Sequence, residues 1–135
     1  MIVHEIPGTL VVDWNDKAKA TIDTWTTYGI TVEQFREAIL KKGVANAKLR
    51  GGRAWIMDAS KAKGVFAPEV QSLIEKEVFP AFARIGVKYF VTIKSGSAVT
   101  NMSIGRYTAH LGPSGIQMVE VPDVKTALAW LEKNQ

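Results

Sequence analysis

The sequence contains no cysteine. Disulfides, thiolate metal sites and cysteine nucleophiles are thereby excluded, and the chain fits a reducing compartment. It also lacks long apolar runs: nothing approaches the roughly 20 consecutive apolar residues of a membrane-spanning helix. The start, Met1-Ile-Val-His4-Glu-Ile-Pro-Gly8, has neither the basic segment nor the apolar run of a secretory signal, so a cytoplasmic location is expected. There are 2 histidines, and neither His4 nor His110 has a second histidine or a carboxylate at metal-ligand spacing, so no metal is expected. The Gly-x-x-x-x-Gly-Lys-Ser/Thr, Gly-x-Gly-x-x-Gly and Gly-x-Ser-x-Gly patterns are absent, which removes the P-loop, the dinucleotide fingerprint and the nucleophile elbow. No cofactor is implied, and no residue is assigned a catalytic role.

What remains is an ordinary globular composition. The 135 residues are 47% hydrophobic and 22% charged, within the range of one domain with one core. A domain of this length buries roughly two-thirds of the surface of its unfolded chain, so no covalent staple is required. The formal charge is +4, and its distribution is more informative than its total. Lys41, Lys42, Lys48, Arg50, Arg53, Lys61 and Lys63 fall in one stretch opposed only by Asp58. This Lys41–Lys63 segment supports an alternative reading, electrostatic binding of nucleic acid or of an acidic protein. Nucleic acid is nevertheless not the expected partner. Arg53 starts a strand while Lys41 and Lys42 belong to the preceding helix, and no aromatic residue is interleaved to stack on bases.

Strand and helix signals alternate along the chain. Leu10 to Trp14 and Ala20 to Tyr28 are rich in β-branched and aromatic residues, with turn chemistry at Asn15-Asp16, and read as a β hairpin. Thr31 and Gln34 form a capping box before a helix carrying Phe35, Ala38, Ile39, Ala45 and Leu49, which Gly51-Gly52 ends. Ala54 to Met57 is continuously apolar, as in a strand covered on both faces. Pro68 opens a second helix with Val70, Leu73, Ile74, Val78, Phe82 and Ile85 on one stripe, and Pro80 is expected to kink it or break it into two pieces. Gly86 stops it before a strand over 87–93. A helix over roughly 98–111, ended near Gly112-Pro113, a strand over 116–121 and a final helix capped by Asp123 complete the order. The fold class is therefore α/β. An N-terminal β hairpin plus helix-strand repeats should form a mixed sheet whose parallel core is covered by helices, in a single domain over 1–135.

Several of these segments carry a family resemblance. The run Trp55-Ile-Met-Asp58-Ala-Ser60, the following Gly64-Val-Phe-Ala-Pro-Glu69, the segment from Pro80 through Gly86-Val-Lys-Tyr-Phe-Val91 and the closing Ala127-Leu-Ala-Trp-Leu131 resemble bacterial STAS-like proteins. These are relatives of anti-sigma factor antagonists and of sulphate transporter STAS domains. The resemblance implies a small regulatory or binding module. It also exposes a departure. In the antagonists a serine at the start of the helix after this strand is the phosphorylation switch, whereas the matching stretch here is Lys63-Gly-Val-Phe-Ala-Pro68. The switch is not transferred to Ser60.

Two loops carry the candidate binding groups. Asp58 ends a parallel strand, where its carboxylate could hold a ligand hydroxyl or accept hydrogen bonds from loop amides, and Ser60 follows it. Lys94-Ser95-Gly96-Ser97, with Asn101 beyond, combines a cation, hydroxyls and backbone amides ahead of a helix. Both loops should open on one edge of the sheet. Asp58, Ser60, Lys94, Ser95, Ser97 and Asn101 are thus the expected ligand-binding set, serving a protein partner or a small anionic or apolar ligand. The expected function is non-enzymatic, with an enzyme lacking a recognisable motif as a further alternative and a homodimer compatible with either. Trp14, Trp25, Trp55 and Trp130 read as core or sheet-face residues, except that Trp25 is expected to point away from Ile22, Thr24, Thr26 and Tyr28 into a contact surface.

Overall fold

The computed structural model describes residues 1–109 and 114–134; His110 and the helix stop at Gly112-Pro113 lie outside them. One six-stranded sheet runs through the molecule in sequential order: β1 (Ile2–Ile6), β2 (Leu10–Asn15), β3 (Ala20–Trp25), β4 (Ala54–Asp58), β5 (Tyr89–Ile93) and β6 (Gln117–Glu120). The first three strands are antiparallel neighbours, and β3 to β6 are parallel. The three strands expected to be parallel neighbours are so. The hairpin of β2 and β3 is also present, and β1 extends it by an edge strand.

Three helices connect the parallel strands: α1 over 32–50, α2 over 68–84 and α3 (Ala98–Thr108), while α4 (Val124–Lys133) closes the chain. Parallel connections share one hand almost without exception, so crossovers between strands laid down in sequence must all cover the same face. Phe35 and Ile39 of α1, Val70, Leu73, Ile74 and Val78 of α2 and Ile104 and Tyr107 of α3 accordingly pack with Trp25, Trp55 and Phe90 of the sheet in one large core. On the opposite face Ala127 and Leu131 of α4 pack over Ala20, Ala54, Ile56, Val91 and Ile93. Ala54 to Met57 of β4 are buried throughout, because this strand is covered on both sides.

The two longest helices both contain a wide π turn. In α1 the segment Arg36–Val44 is π-helical, flanked by α-helical Val32–Phe35 and Ala45–Arg50. A π turn inserts one residue and rotates everything after it around the axis. The buried positions therefore run Phe35, Ala38, Ile39, Gly43 and Ala47, whereas Ala45 and Leu49, expected on the core stripe, are exposed. In α2 the π segment Ile74–Val78 lies just before Pro80. An α turn would drive the proline ring against the carbonyl four residues back. The wider turn relieves that contact, and the chain stays helical from 68 to 84 instead of breaking into two pieces.

Trp25 is a second correction. It is 2% exposed and sits on the crossover-helix face together with Tyr28, not on a contact surface. The strand ends at Trp25, so the alternation assumed to continue to Tyr28 stops there.

The start of α1 is as expected: the Gln34 amide N–H donates to Thr31 Oγ1 at 3.1 Å and the Thr31 N–H to Gln34 Oε1 at 3.2 Å. Replacing Thr31 with alanine orphans the first-turn amide and should lower stability by about 1 kcal/mol. Denaturant titration at a constant slope should register this as a lower midpoint; an unmoved midpoint would contradict the cap's contribution.

Candidate functional site

The carboxyl ends of β4 and β5 carry a cleft of about 320 Å³ lined by Ser60 to Lys63 on one side and Ser95 to Ser97 on the other. The loops leaving β4 and β5 both run to the crossover-helix face, and the cleft lies between them at the strand ends. Its walls are cross-braced. The Ser95 hydroxyl donates to the Ala62 carbonyl at 2.6 Å and accepts from the Ser97 amide at 2.9 Å. Thr100 Oγ1 donates to the Gly64 carbonyl at 2.7 Å, tying the first loop to α3.

The structure divides the expected ligand set. Ser60, Ser95 and Ser97 line the cleft. Asn101 braces it from behind: its Oδ1 accepts from the Ser95 N–H at 2.9 Å and its Nδ2 donates to the Ser95 carbonyl at 2.8 Å. Asp58 Oδ1 accepts from the Ser60 amide at 3.0 Å, a turn contact. The Lys94 amine turns to Glu120 at 3.5 Å and does not line the cleft. Sequence reasoning placed the cation of this site at Lys94, but the cleft's cations are Lys61 and Lys63. Both are exposed and neither forms an ion pair among the described residues. The sequence signal for them is the apolar–polar alternation of the loop, with Ala59, Ala62 and Phe66 set against Ser60, Lys61 and Lys63.

A second constellation lies inside the molecule. Asp23, on β3, faces the crossover helices between Val12 and Met57 of the neighbouring strands and is 4% exposed. Trp25 Nε1 donates to its Oδ1 at 3.0 Å, and Trp55 Nε1 donates to its Oδ2 at 2.7 Å. No cation pairs with it among the described residues. Burial pushes the carboxyl up to about 7 against the pull of the two indoles, and the charge on Asp58 adds to the rise. Gly43 makes room for this arrangement, because a Cβ there would lie 2.8 Å from Trp55 Cη2. The ring of Trp55 in turn stacks on Phe82, with centroids 4.3 Å apart.

Beside Asp23 is a void of about 20 Å³, walled mainly by aromatic and aliphatic side chains of the sheet, α1 and α2. It has room for about one water. Phe66, from the loop between β4 and α2, closes one side. Its ring stacks on Tyr28 at 3.9 Å and meets Trp25 edge-on at 5.2 Å and Phe35 at 5.5 Å. Tyr28 Oη approaches Tyr107 Oη at 3.3 Å and donates to Met57 Sδ at 3.1 Å, and burial holds both phenols well above their ordinary range. Asp23 was not anticipated from sequence. The signal was present, since i and i+2 in a strand share a face and a carboxylate two residues before a buried tryptophan must itself be buried.

Compared with known proteins, the chain matches no family model, no curated protein and no solved structure.

The Asp23 carboxyl fixes the sign of a pH effect. The folded state retains its proton up to about pH 7, whereas the unfolded chain releases it near the ordinary value of 3.8. Folding thus binds a proton between these limits, and stability must fall as pH rises through that window and level off above it, by on the order of 4 kcal/mol. Exposed Asp16, Glu77 and Asp123, held low by hydrogen bonds from Lys19, Arg36 and the Thr126 amide, act in the opposite direction. Comparison with Asp23→Asn cancels their contribution. The variant should lose the fall between pH 4 and 7.5, measured by urea unfolding, although its level is lower because an amide N–H then faces one indole. An identical slope in both proteins would contradict the buried-acid account.

Proposed function

We propose that this chain is a STAS-like, non-enzymatic binding module that holds an anionic ligand in the cleft beyond β4 and β5. The observation that carries the reading is the pair of ammonium groups, Lys61 and Lys63, without an ion-pair partner among the described residues, on one braced loop beside the hydroxyl-bearing wall of Ser95 and Ser97. Two cations close together on one strand of loop repel each other and are each stabilised by an anion between them. Bracing by Ser95, Asn101 and Thr100 lowers the ordering cost of binding. The ligand class is a phosphate, sulphate or carboxylate group, whether of a small molecule or of an acidic segment of a protein partner.

The cleft lining contains no carboxylate or imidazole to move a proton, which favours binding over chemistry. The alternative of an extended nucleic-acid surface finds less support. Lys41 and Lys42 lie near Glu37 at 3.7 and 4.0 Å, and Arg53 precedes β4 at the edge of the sheet opposite to Lys61 and Lys63. The basic stretch is therefore divided.

Titration with inorganic pyrophosphate, followed by backbone amide NMR, tests the reading. Saturable shifts should concentrate on residues 60–63 and 95–97, and the double variant Lys61→Ala/Lys63→Ala should bind at least tenfold more weakly. Affinity should also fall with added salt, because exposed charges are screened. Shifts that never saturate, or equal affinity in the double variant, would refute it.

A further inference from the structure

The interior constellation is not needed by the cleft. A buried carboxyl without a cation is a costly way to fill a core, and such groups in native proteins cluster where a ligand or a reaction uses them. The two indoles occupy two of the hydrogen-bonding positions of the Asp23 carboxyl, which lines the void and, as the neutral acid, keeps an O–H donor and remaining acceptor capacity. Both helices over that void are widened by π turns, at Arg36–Val44 and Ile74–Val78, and π turns recur at binding sites. The void itself, about 20 Å³, is too small for a ring. On the side of the loop between β4 and α2, its wall is the ring of Phe66.

The chain is anchored up to Gly64, whose carbonyl accepts from Thr100 Oγ1, but Phe66 itself is held by ring contacts more than by its own backbone hydrogen bond. Its amide reaches Ser103 Oγ only at 3.4 Å, Val65 before it is 45% exposed, and Gly64 adopts φ +83°, a conformation open to glycine. Rotation of residues 65 and 66 would take the Phe66 ring out while leaving β4, α2 and the Thr100 tie at Gly64 in place. An incoming ring would then regain the stack on Tyr28 and the edge contacts with Trp25 and Phe35, so the exchange is nearly neutral in buried aromatic surface. A fused bicycle would fill the phenyl position and the void together.

We propose that the space beneath Phe66 is a second binding site, for a small planar aromatic molecule carrying an N–H donor, with Asp23 as its polar anchor and Phe66 as the plug that the ligand displaces. The anchor supplies the selectivity. A donor reaching the free acceptor position of Asp23 gains a hydrogen bond to a buried acid, which a hydrocarbon of the same shape cannot make.

Indole and indene differ in little but the N–H, and they are the probes. Each is titrated into the wild-type protein while the Nε1–H signals of Trp25 and Trp55 are followed by NMR. Indole should give saturable shifts at both signals and bind roughly tenfold or more tightly than indene. Phe66→Ala should bind both probes more tightly, because no plug is displaced, and Asp23→Asn should reduce the preference for indole. Lys61→Ala/Lys63→Ala should leave indole binding unchanged, which separates this site from the cleft. Absence of saturable indole shifts in the wild type, or indene binding as tightly as indole, overturns the proposal even if either core variant fails to fold.

Discussion

One carboxyl, Asp23, joins two tryptophans from neighbouring strands, and much of the larger core is arranged around that bridge. Two indole N–H groups buried without an acceptor would each cost about 1–3 kcal/mol, so the acid satisfies them while remaining itself uncompensated. The arrangement dictates neighbouring choices. Trp55 must lie close against α1, so position 43 is glycine. The helices over the bridge carry wide turns, and in α1 that turn moves the buried stripe onto Gly43 and Ala47. A protein needing only stability would fill this space with aliphatic side chains.

The bridge also connects the inside of the molecule to its edge. Residues 59–67 leave β4, the strand next to the hairpin, and alternate between two tasks. Ala62 and Phe66 face inward, the latter onto the aromatic cluster over Asp23, and Lys61 and Lys63 face the cleft. Thr100 and Ser95 hold the middle of this loop at Gly64 and Ala62. Whatever shifts Phe66 acts on a segment whose outer face lines the cleft, so the two sites share one mechanical element. A coupling between them would be a property of that loop.

Most of the fold was legible in the sequence because its signals are local. The Thr31-Gln34 box, Gly51, Pro68, Gly86 and Asp123 mark helix ends through backbone chemistry that depends on a few adjacent residues. The continuous apolar run at 54–57 identifies a strand covered on both faces, and the apolar-rich stretch after Gly86 marks the next one. The π turns were not legible, since an extra residue per turn is imposed by packing against Trp55 and by Pro80 rather than by helix propensity. Their consequence was an error of phase, which put Leu49 in the core. The cleft was legible as a place, from the strand-end loops, but not as a set of side chains. Lys94 and Lys61 look alike in sequence, and only the position of Glu120 turns the former away. Asp23 was hidden by a different cause: an acidic residue in a strand is ordinarily solvent-facing, and its indole partners come from position 25 and from position 55 on another strand.

The most direct test of this account is the titration of Asp23 itself, read from its carboxyl carbon by NMR together with the indole Nε1–H signals of Trp25 and Trp55. The account predicts a single midpoint near 7 at the carboxyl, reproduced at both indoles because each donates to one of its oxygens. A midpoint near the ordinary 3.8, or indole signals that do not move with the carboxyl, would contradict it.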